Sequence, residues 1–226
     1  MCAVMALDPQ PGERVLDLAG APGGKTSFIC QLMENTGVVV SNDLKRHRHK
    51  ATVANLHRLG VKNAITSSGD AREFPSVLSG FSRVLLDAPC SGLGVISRDA
   101  SIKSQRTLKD IRRLSLVQKE LLLCAIDSVD ERKAGVVVYS TCSISVQENE
   151  DVVQYALETR YVKLVETFLA HAKPALTRFQ ERRFHPMMYL ARRFYPHVHN
   201  MDGFFVAKLV KFRKGARKIS QHVRTG

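Results

Sequence analysis

Arg83-Val84-Leu85-Leu86-Asp87-Ala88-Pro89-Cys90-Ser91-Gly92 decides the fold, and Gly135-Val136-Val137-Val138-Tyr139-Ser140-Thr141-Cys142-Ser143 repeats its logic further along the chain. Each begins as an unbroken run of β-branched and apolar residues. Strands covered by helices on both faces lose the alternation of half-buried strands, so each run reads as a buried parallel strand. Each then turns polar and reaches a cysteine, at the carboxyl end of the strand. Open α/β sheets place their chemistry at those ends. Two strand-end cysteines with a carboxylate beside one of them, Cys90, Cys142 and Asp87, therefore mark a candidate site for thiolate chemistry.

Working outward, the same strand-to-helix rhythm fills the chain. Arg14-Val15-Leu16-Asp17-Leu18 is a short strand, and Lys25 to Met33 follows as a helix. Val38-Val39-Val40-Ser41 is a second strand ending at Asn42-Asp43. Residues 45–59 form a basic helix with Val53, Leu56 and Leu59 on a narrow apolar face, stopped by Gly60. A third strand around Ala64-Ile65-Thr66 ends at Gly69-Asp70. A leucine-rich helix (Leu114 to Ile126) precedes the fifth strand, and residues 147–159 are helical, with acidic residues first as the helix dipole prefers. Val162 to Val165 and Gly203 to Val210 complete seven strands. Alternating strands and helices predict a doubly wound, Rossmann-like α/β sheet.

Composition bounds the function. At 226 residues and 44% apolar the chain is one ordinary globular domain, without a run of apolar residues long enough to span a membrane. Five scattered cysteines without a Cys-x-x-Cys spacing disfavour a structural zinc site and favour a reducing compartment; no metal is expected. The net charge of +13 points to a polyanionic partner, most simply RNA or DNA. A basic surface that only confers solubility is the plainer alternative. Residues 171–201 interleave Arg178, Arg182, Arg183, Arg192 and Arg193 with Phe179, Phe184, Tyr189, Phe194 and Tyr195, which suits phosphate contact and base stacking, or a packed surface excursion. Residues 211–226 are basic and expected to be a disordered tail.

Ala19-Gly20-Ala21-Pro22-Gly23-Gly24-Lys25-Thr26 joins the first strand to the first helix. Ala19 stands where a P-loop requires glycine, and the dinucleotide fingerprint is missing. Asp43 lies about 20 residues beyond the glycines, where a carboxylate holds ribose hydroxyls. Asp70 and Asp87 end the next two strands. Successive strand-end aspartates suit a cationic nucleoside cofactor, and S-adenosylmethionine fits that description.

These motifs resemble the RNA cytosine-5 methyltransferases of the Sun and nucleolar-protein family. The resemblance is carried by Val15 to Leu18 with Ala21 to Thr26, Asn42-Asp43, Asp87 to Gly92, Ser140 to Ser143 and Met201-Asp202-Gly203-Phe204-Phe205. Asn55 to Gly60 and Arg182-Arg183-Phe184-His185-Pro186 point to the nucleolar branch that modifies large-subunit ribosomal RNA. It covers about residues 4–210. It implies a sheet of the S-adenosylmethionine-dependent methyltransferase type, with residues 19–25, Asp43, Asp70 and Asp87 holding the cofactor. It makes Cys142 the nucleophile, Cys90 the residue that assists product release and Asp87 the acid at ring nitrogen 3. Carbon 5 of cytosine needs such help, because it becomes nucleophilic only after a thiolate adds to carbon 6. Chemistry alone leaves the two thiols interchangeable, since DNA cytosine methyltransferases use the cysteine of the Pro-Cys pair, here Cys90. The resemblance further implies a monomer acting on ribosomal RNA in the nucleus and nucleolus. Relatives carry an amino-terminal RNA-binding region that is expected to be absent here, so residues 1–210 are read as the catalytic domain. A catalytically silent RNA-binding assembly factor, or a truncated form, is the other reading.

Overall fold

The computed structural model describes residues 1–217. Helix α1 (Cys2–Leu7) leads into strand β1 (Arg14–Asp17), helix α2 (Gly24–Leu32), β2 (Val38–Asn42), α3 (Arg46–Arg58) and β3 (Ala64–Ser67). After α4 (Phe74–Val77) come β4 (Arg83–Asp87), α5 (Ser101–Gln105), α6 (Leu108–Ser128), β5 (Val136–Thr141), α7 (Glu150–Thr159) and β6 (Arg160–Val165). Four short strands follow: β7 (Lys173–Pro174), β8 (Arg178–Phe179), β9 (Arg182–Arg183) and β10 (Arg192–Phe194). Helix α8 (Pro196–His199) and the long strand β11 (Phe204–Ala216) end the described chain.

The main sheet runs β3-β2-β1-β4-β5-β11-β10-β7, with β6 pairing on β11. Strands β1 to β5 are parallel, and β11 lies antiparallel against β5 and β6. The expected doubly wound sheet is therefore present, widened by β10 and β7. Strand order reverses between β1 and β4, the switch point where such sheets open a crevice.

Neighbours along each strand serve opposite faces. Leu16, Leu86 and Tyr139 pack with Leu122 and Ile126 of α6 and with Val152 and Val153 of α7. Val15, Leu85 and Val138 pack with Val4 and Leu7 of α1 and with Ile29 and Cys30 of α2. Both faces are thus dry, which is why these strands read as unbroken apolar runs. Helix α6 is launched by a capping box, in which Thr107 and Asp110 satisfy each other's backbone N–H groups. On α3 the expected apolar face is narrower than its spacing implied: Leu56 is buried, whereas Val53 and Leu59 are exposed.

The expected disordered tail from 211 is corrected by β11, which continues as strand to Ala216. Lys211 pairs with Val162 on β6, and its buried ammonium donates to the carbonyl of Val129 at 3.1 Å. Phe212 packs edge-on against Tyr161, and Arg213 lies over that ring. A lysine with a long apolar stem and an aromatic residue gave the strand a partner that basic composition concealed. Residues 218–226, the rest of that predicted tail, lie outside the described residues. No helix among the described residues is long and apolar enough to cross a membrane.

Candidate active site

Strands β4 and β5 deliver the two cysteine motifs side by side. Asp87 is in register with Ser140, whose hydroxyl donates to Asp87 Oδ1 at 2.7 Å. The amide of Ala88 donates to the Ser140 carbonyl at 2.9 Å, so the strands stay paired as they leave the sheet. The chain then turns twice and brings Cys90 Sγ to 2.8 Å from Cys142 Sγ. Two residues far apart in sequence become one dithiol.

Backbone packing holds the turns there. The amide of Gly94 donates to the Cys142 carbonyl at 2.9 Å, and the amide of Gly203 donates to the Gly94 carbonyl at 2.8 Å. A Cβ on Gly94 would lie 2.1 Å from the Gly203 oxygen and 2.8 Å from the Cys142 oxygen, so only glycine permits this approach. The Met201 to Phe205 motif thereby acquires a purpose: it abuts the Cys142 turn.

The sulfurs are not equivalent. A hydrogen bond from Cys90 holds the Cys142 thiol below the ordinary cysteine range, against its burial and the nearby charge of Asp87. Donating that bond, together with burial, pushes Cys90 far above the range. Elsewhere burial pushes Cys30 up to about 12 and Cys124 up to about 11. Cys30 is buried, whereas Cys124 is only partly so.

A cavity of about 220 Å³ opens at the end of β1 and shares Asp87 with the Cys90 motif. Of the predicted cofactor residues, Ala19, Gly20, Ala21, Gly24, Lys25 and Asp87 line it. Lys25 donates to Asp87 Oδ2 at 2.6 Å; burial opposes the charge on Lys25, but the Asp87 carboxylate prevails and raises it above the usual lysine range. Pro22 and Gly23 belong to the same loop but do not line the cavity. Asp43 is buried outside it and braces the loop: Oδ2 accepts from the Ala21 amide at 3.3 Å and from Arg48 at 3.1 Å. Asp70 stands apart, with both oxygens engaged by Arg72, whose hydrogen bonds lower its carboxyl below the ordinary range.

Asp17 lines the same cavity, and sequence reasoning gave it no role. It is fully buried; Oδ2 accepts from the Thr26 hydroxyl at 2.7 Å and Oδ1 has no partner. Burial pushes its carboxyl up to about 6, with the Asp87 charge adding to the effect. A buried carboxylate oxygen without a donor is a place for a cation. Its one signal in the sequence is its position as the last residue of β1, before the glycine loop.

The arginine-aromatic excursion is divided between packing and surface. Arg193 is buried in an ion pair with Glu150, Arg192 pairs with Glu166 at 2.8 Å, and Arg182 pairs with Asp151 at 2.5 Å. Phe184 and Phe194 are core, whereas Phe179, Tyr189, Arg178 and Arg183 remain exposed on and beside the β8–β9 hairpin. Among the described residues no cluster of histidine, cysteine and carboxylate side chains is arranged to hold a metal ion.

Residues 4–210 match the family model of the 16S rRNA methyltransferases RsmB/F. The chain is 59% identical over 214 residues to the 28S rRNA (cytosine-C(5))-methyltransferase of Mus musculus, covering 94% of this chain and 27% of that protein. It is 57% identical to the 25S rRNA (cytosine-C(5))-methyltransferase nop2 of Schizosaccharomyces pombe, covering 92% of this chain and 35% of that protein. It spans about a third or less of the length of these curated relatives. Among solved structures it resembles NSun6 from Pyrococcus horikoshii with SFG, at a TM-score of 0.83 and 37% identity, over 94% of this chain and 52% of the other.

Proposed function

The chain belongs to the 16S rRNA methyltransferase RsmB/F family, and on that premise we propose that it is the catalytic part of an S-adenosylmethionine-dependent enzyme that forms 5-methylcytosine in large-subunit ribosomal RNA. The observation that carries the reading is the 2.8 Å dithiol at the same strand ends as Asp87, which lines a cavity with Asp17 and Lys25.

The cavity fits the cofactor's charge. Asp17 offers an unpartnered, buried carboxylate oxygen to a cation, Lys25 offers an ammonium to a carboxylate, and Asp43 braces the glycine loop. When bound, S-adenosylmethionine supplies an electrophilic methyl group on a sulfonium.

The side chains supply the rest. The Cys142 thiolate adds to carbon 6 of cytosine, forming the S–C bond, and the ring's electron pair moves toward nitrogen 3. We assign to Asp87, with the Lys25 ammonium as its proton-bearing partner, the task of holding that nitrogen and passing a proton to it. That leaves carbon 5 nucleophilic toward the methyl group that the bound cofactor would supply. A base assisted by Cys90 then takes the carbon 5 proton, nitrogen 3 returns its proton to the Asp87–Lys25 pair, and the S–C bond breaks, returning the Cys142 thiolate and restoring the ring. The exposed arginines and aromatics of the β8–β9 hairpin are available to the RNA strand. A large-subunit ribosomal RNA substrate places this work in the nucleolus, where a fluorescently tagged chain is expected.

The test uses labelled cofactor and a large-subunit ribosomal RNA fragment. Cys142→Ala is expected to abolish methyl transfer. Cys90→Ala is expected to leave the protein attached to RNA through denaturing electrophoresis. A Cys90 variant that turns over without an adduct would reverse the assignment of the two thiols.

A further inference from the structure

Glu148 lies in the turn between β5 and α7, outside both cysteine motifs, and the mechanism above gives it no task. It is completely buried, and among the described residues no cation lies within ion-pair distance of it. A buried carboxylate without a cation is costly unless hydrogen bonds compensate it. Here four donors do so. Oε1 accepts from the Ser91 amide at 2.8 Å and from Gln118 at 3.1 Å; Oε2 accepts from the hydroxyls of Ser91 and Ser143, each at 2.5 Å.

The donors are not arbitrary. Ser91 follows Cys90 and Ser143 follows Cys142, so one carboxylate grips the residue after each cysteine. Gln118 also donates to the carbonyl of Pro89 at 2.8 Å, securing the residue before Cys90. Asn149 secures the other turn: the Thr141 hydroxyl donates to its Oδ1 at 2.6 Å, and its amide donates to the Ser143 carbonyl at 2.9 Å. Glu148 is itself anchored, because the buried Tyr139 hydroxyl donates to its carbonyl at 2.5 Å. The clasp thus spans β5, α6 and both turns.

We propose that Glu148 is a positioning residue that clasps the Cys90 and Cys142 turns together and so keeps the two sulfurs in hydrogen-bond contact. The proposal rests on the reading of Cys142 as nucleophile. Electrostatics alone would argue against a carboxylate here, since its charge disfavours both neighbouring thiolates. What a carboxylate offers is two oxygens that accept four converging donors, and geometry is therefore its service. The charged groups facing Cys142 are Asp87 at the end of β4, Lys25 on α2 and Glu148 itself, with the Cys90 thiol as its hydrogen-bond donor.

Two variants separate charge from reach. Glu148→Gln removes the charge but keeps the span, since the serine hydroxyls can turn to accept from the new amide. Glu148→Asp keeps the charge and shortens the reach. Two thiol measurements on the full chain need neither RNA nor cofactor. One is the pH dependence of Cys142 alkylation by iodoacetamide, assigned by peptide mass spectrometry. The other is capture of phenylarsine oxide, whose arsenic bonds to both sulfurs with release of one water, with Cys90→Ser as the control that loses capture.

Glu148→Gln is expected to retain capture and to ionise Cys142 at or below the wild-type pH. Glu148→Asp is expected to weaken capture at least tenfold and to move the Cys142 midpoint upward. Should Glu148→Asp not fold, Ser91→Ala removes one donor from the intact carboxylate and is expected to weaken capture part of the way. A folded Glu148→Asp, or failing that Ser91→Ala, with wild-type capture and titration overturns the proposal. A merely structural role would lower the melting temperature without moving either thiol readout. An absence of methyl transfer with the thiol results as expected would overturn the catalytic reading and leave the clasp standing.

Discussion

Replacing Gly94 by alanine adds one methyl group at the point where three backbones meet. Gly94 does not occupy the left-handed region, so the perturbation is purely steric. The new Cβ would lie 2.1 Å from the Gly203 oxygen, 2.6 Å from the Gly203 carbonyl carbon and 2.8 Å from the Cys142 oxygen. Ordinary contact begins near 3.4 Å, so the chains must separate by about 1 Å. That separation breaks the hydrogen bonds from the Gly94 amide to the Cys142 carbonyl and from the Gly203 amide to the Gly94 carbonyl. Two hydrogen bonds at about 1 kcal/mol each, plus the strain of overpacking, come to roughly 3 kcal/mol. For a domain of this size the melting temperature then falls by about 6–12 °C. With Cys142 as the proposed nucleophile, rate suffers more than stability, because displacing it by about 1 Å costs on the order of a hundredfold. Calorimetric melting and single-turnover methyl transfer measure the two effects. Gly24→Ala is the control for the melt, since its Cβ meets nothing within 4 Å. A Gly94→Ala chain with wild-type melting and wild-type turnover would refute the claim that this contact holds the Cys142 turn.

Asp17 sets function against stability. Its carboxyl is moved from 3.8 to about 6, and between those values the folded chain keeps a proton that the unfolded chain has released, so stability falls as pH rises through that window. The cost at neutral pH is roughly 3 kcal/mol. Asp17→Asn is therefore expected to melt higher than wild type at pH 7.5 but not at pH 4, while calorimetric titration with S-adenosylmethionine shows binding lost; equal melting curves at both pH values would remove the argument. The buried Arg193–Glu150 pair predicts the opposite kind of result. Arg193→Met strands the Glu150 carboxylate and should cost about 3–5 kcal/mol in urea unfolding, most of it recovered when Glu150→Leu is added. If the double variant is no better than the single one, the pair is not the source of the loss.

The parts of this protein that the sequence made legible are those where residue type and position coincide. An unbroken apolar run ending in Asp87 and Cys90 can only be a buried strand reaching the edge of its sheet, and β5 repeats the argument with Cys142. The register Asp87–Ser140 then brings the motifs together without further information. What stayed hidden depends on partners distant in sequence. Gln147-Glu148-Asn149-Glu150 reads as the acidic start of a helix, the residues a dipole favours in water. In the folded chain Glu148, Asn149 and Glu150 are all fully buried. Glu148 faces the cysteine turns, Asn149 braces one of them, and Glu150 receives Arg193 from the excursion whose composition suited RNA contact and packing alike. No local pattern distinguishes a carboxylate that faces water from one that faces four donors arriving from three elements. The same limit explains Lys211, read as part of a basic tail and found inside β11. The cysteines could be read because a thiol at a strand end is unusual in itself. The residues that set the distance between those thiols are ordinary until their partners are known, so a search for positioning residues in such a sheet has to begin from buried charge rather than from motif.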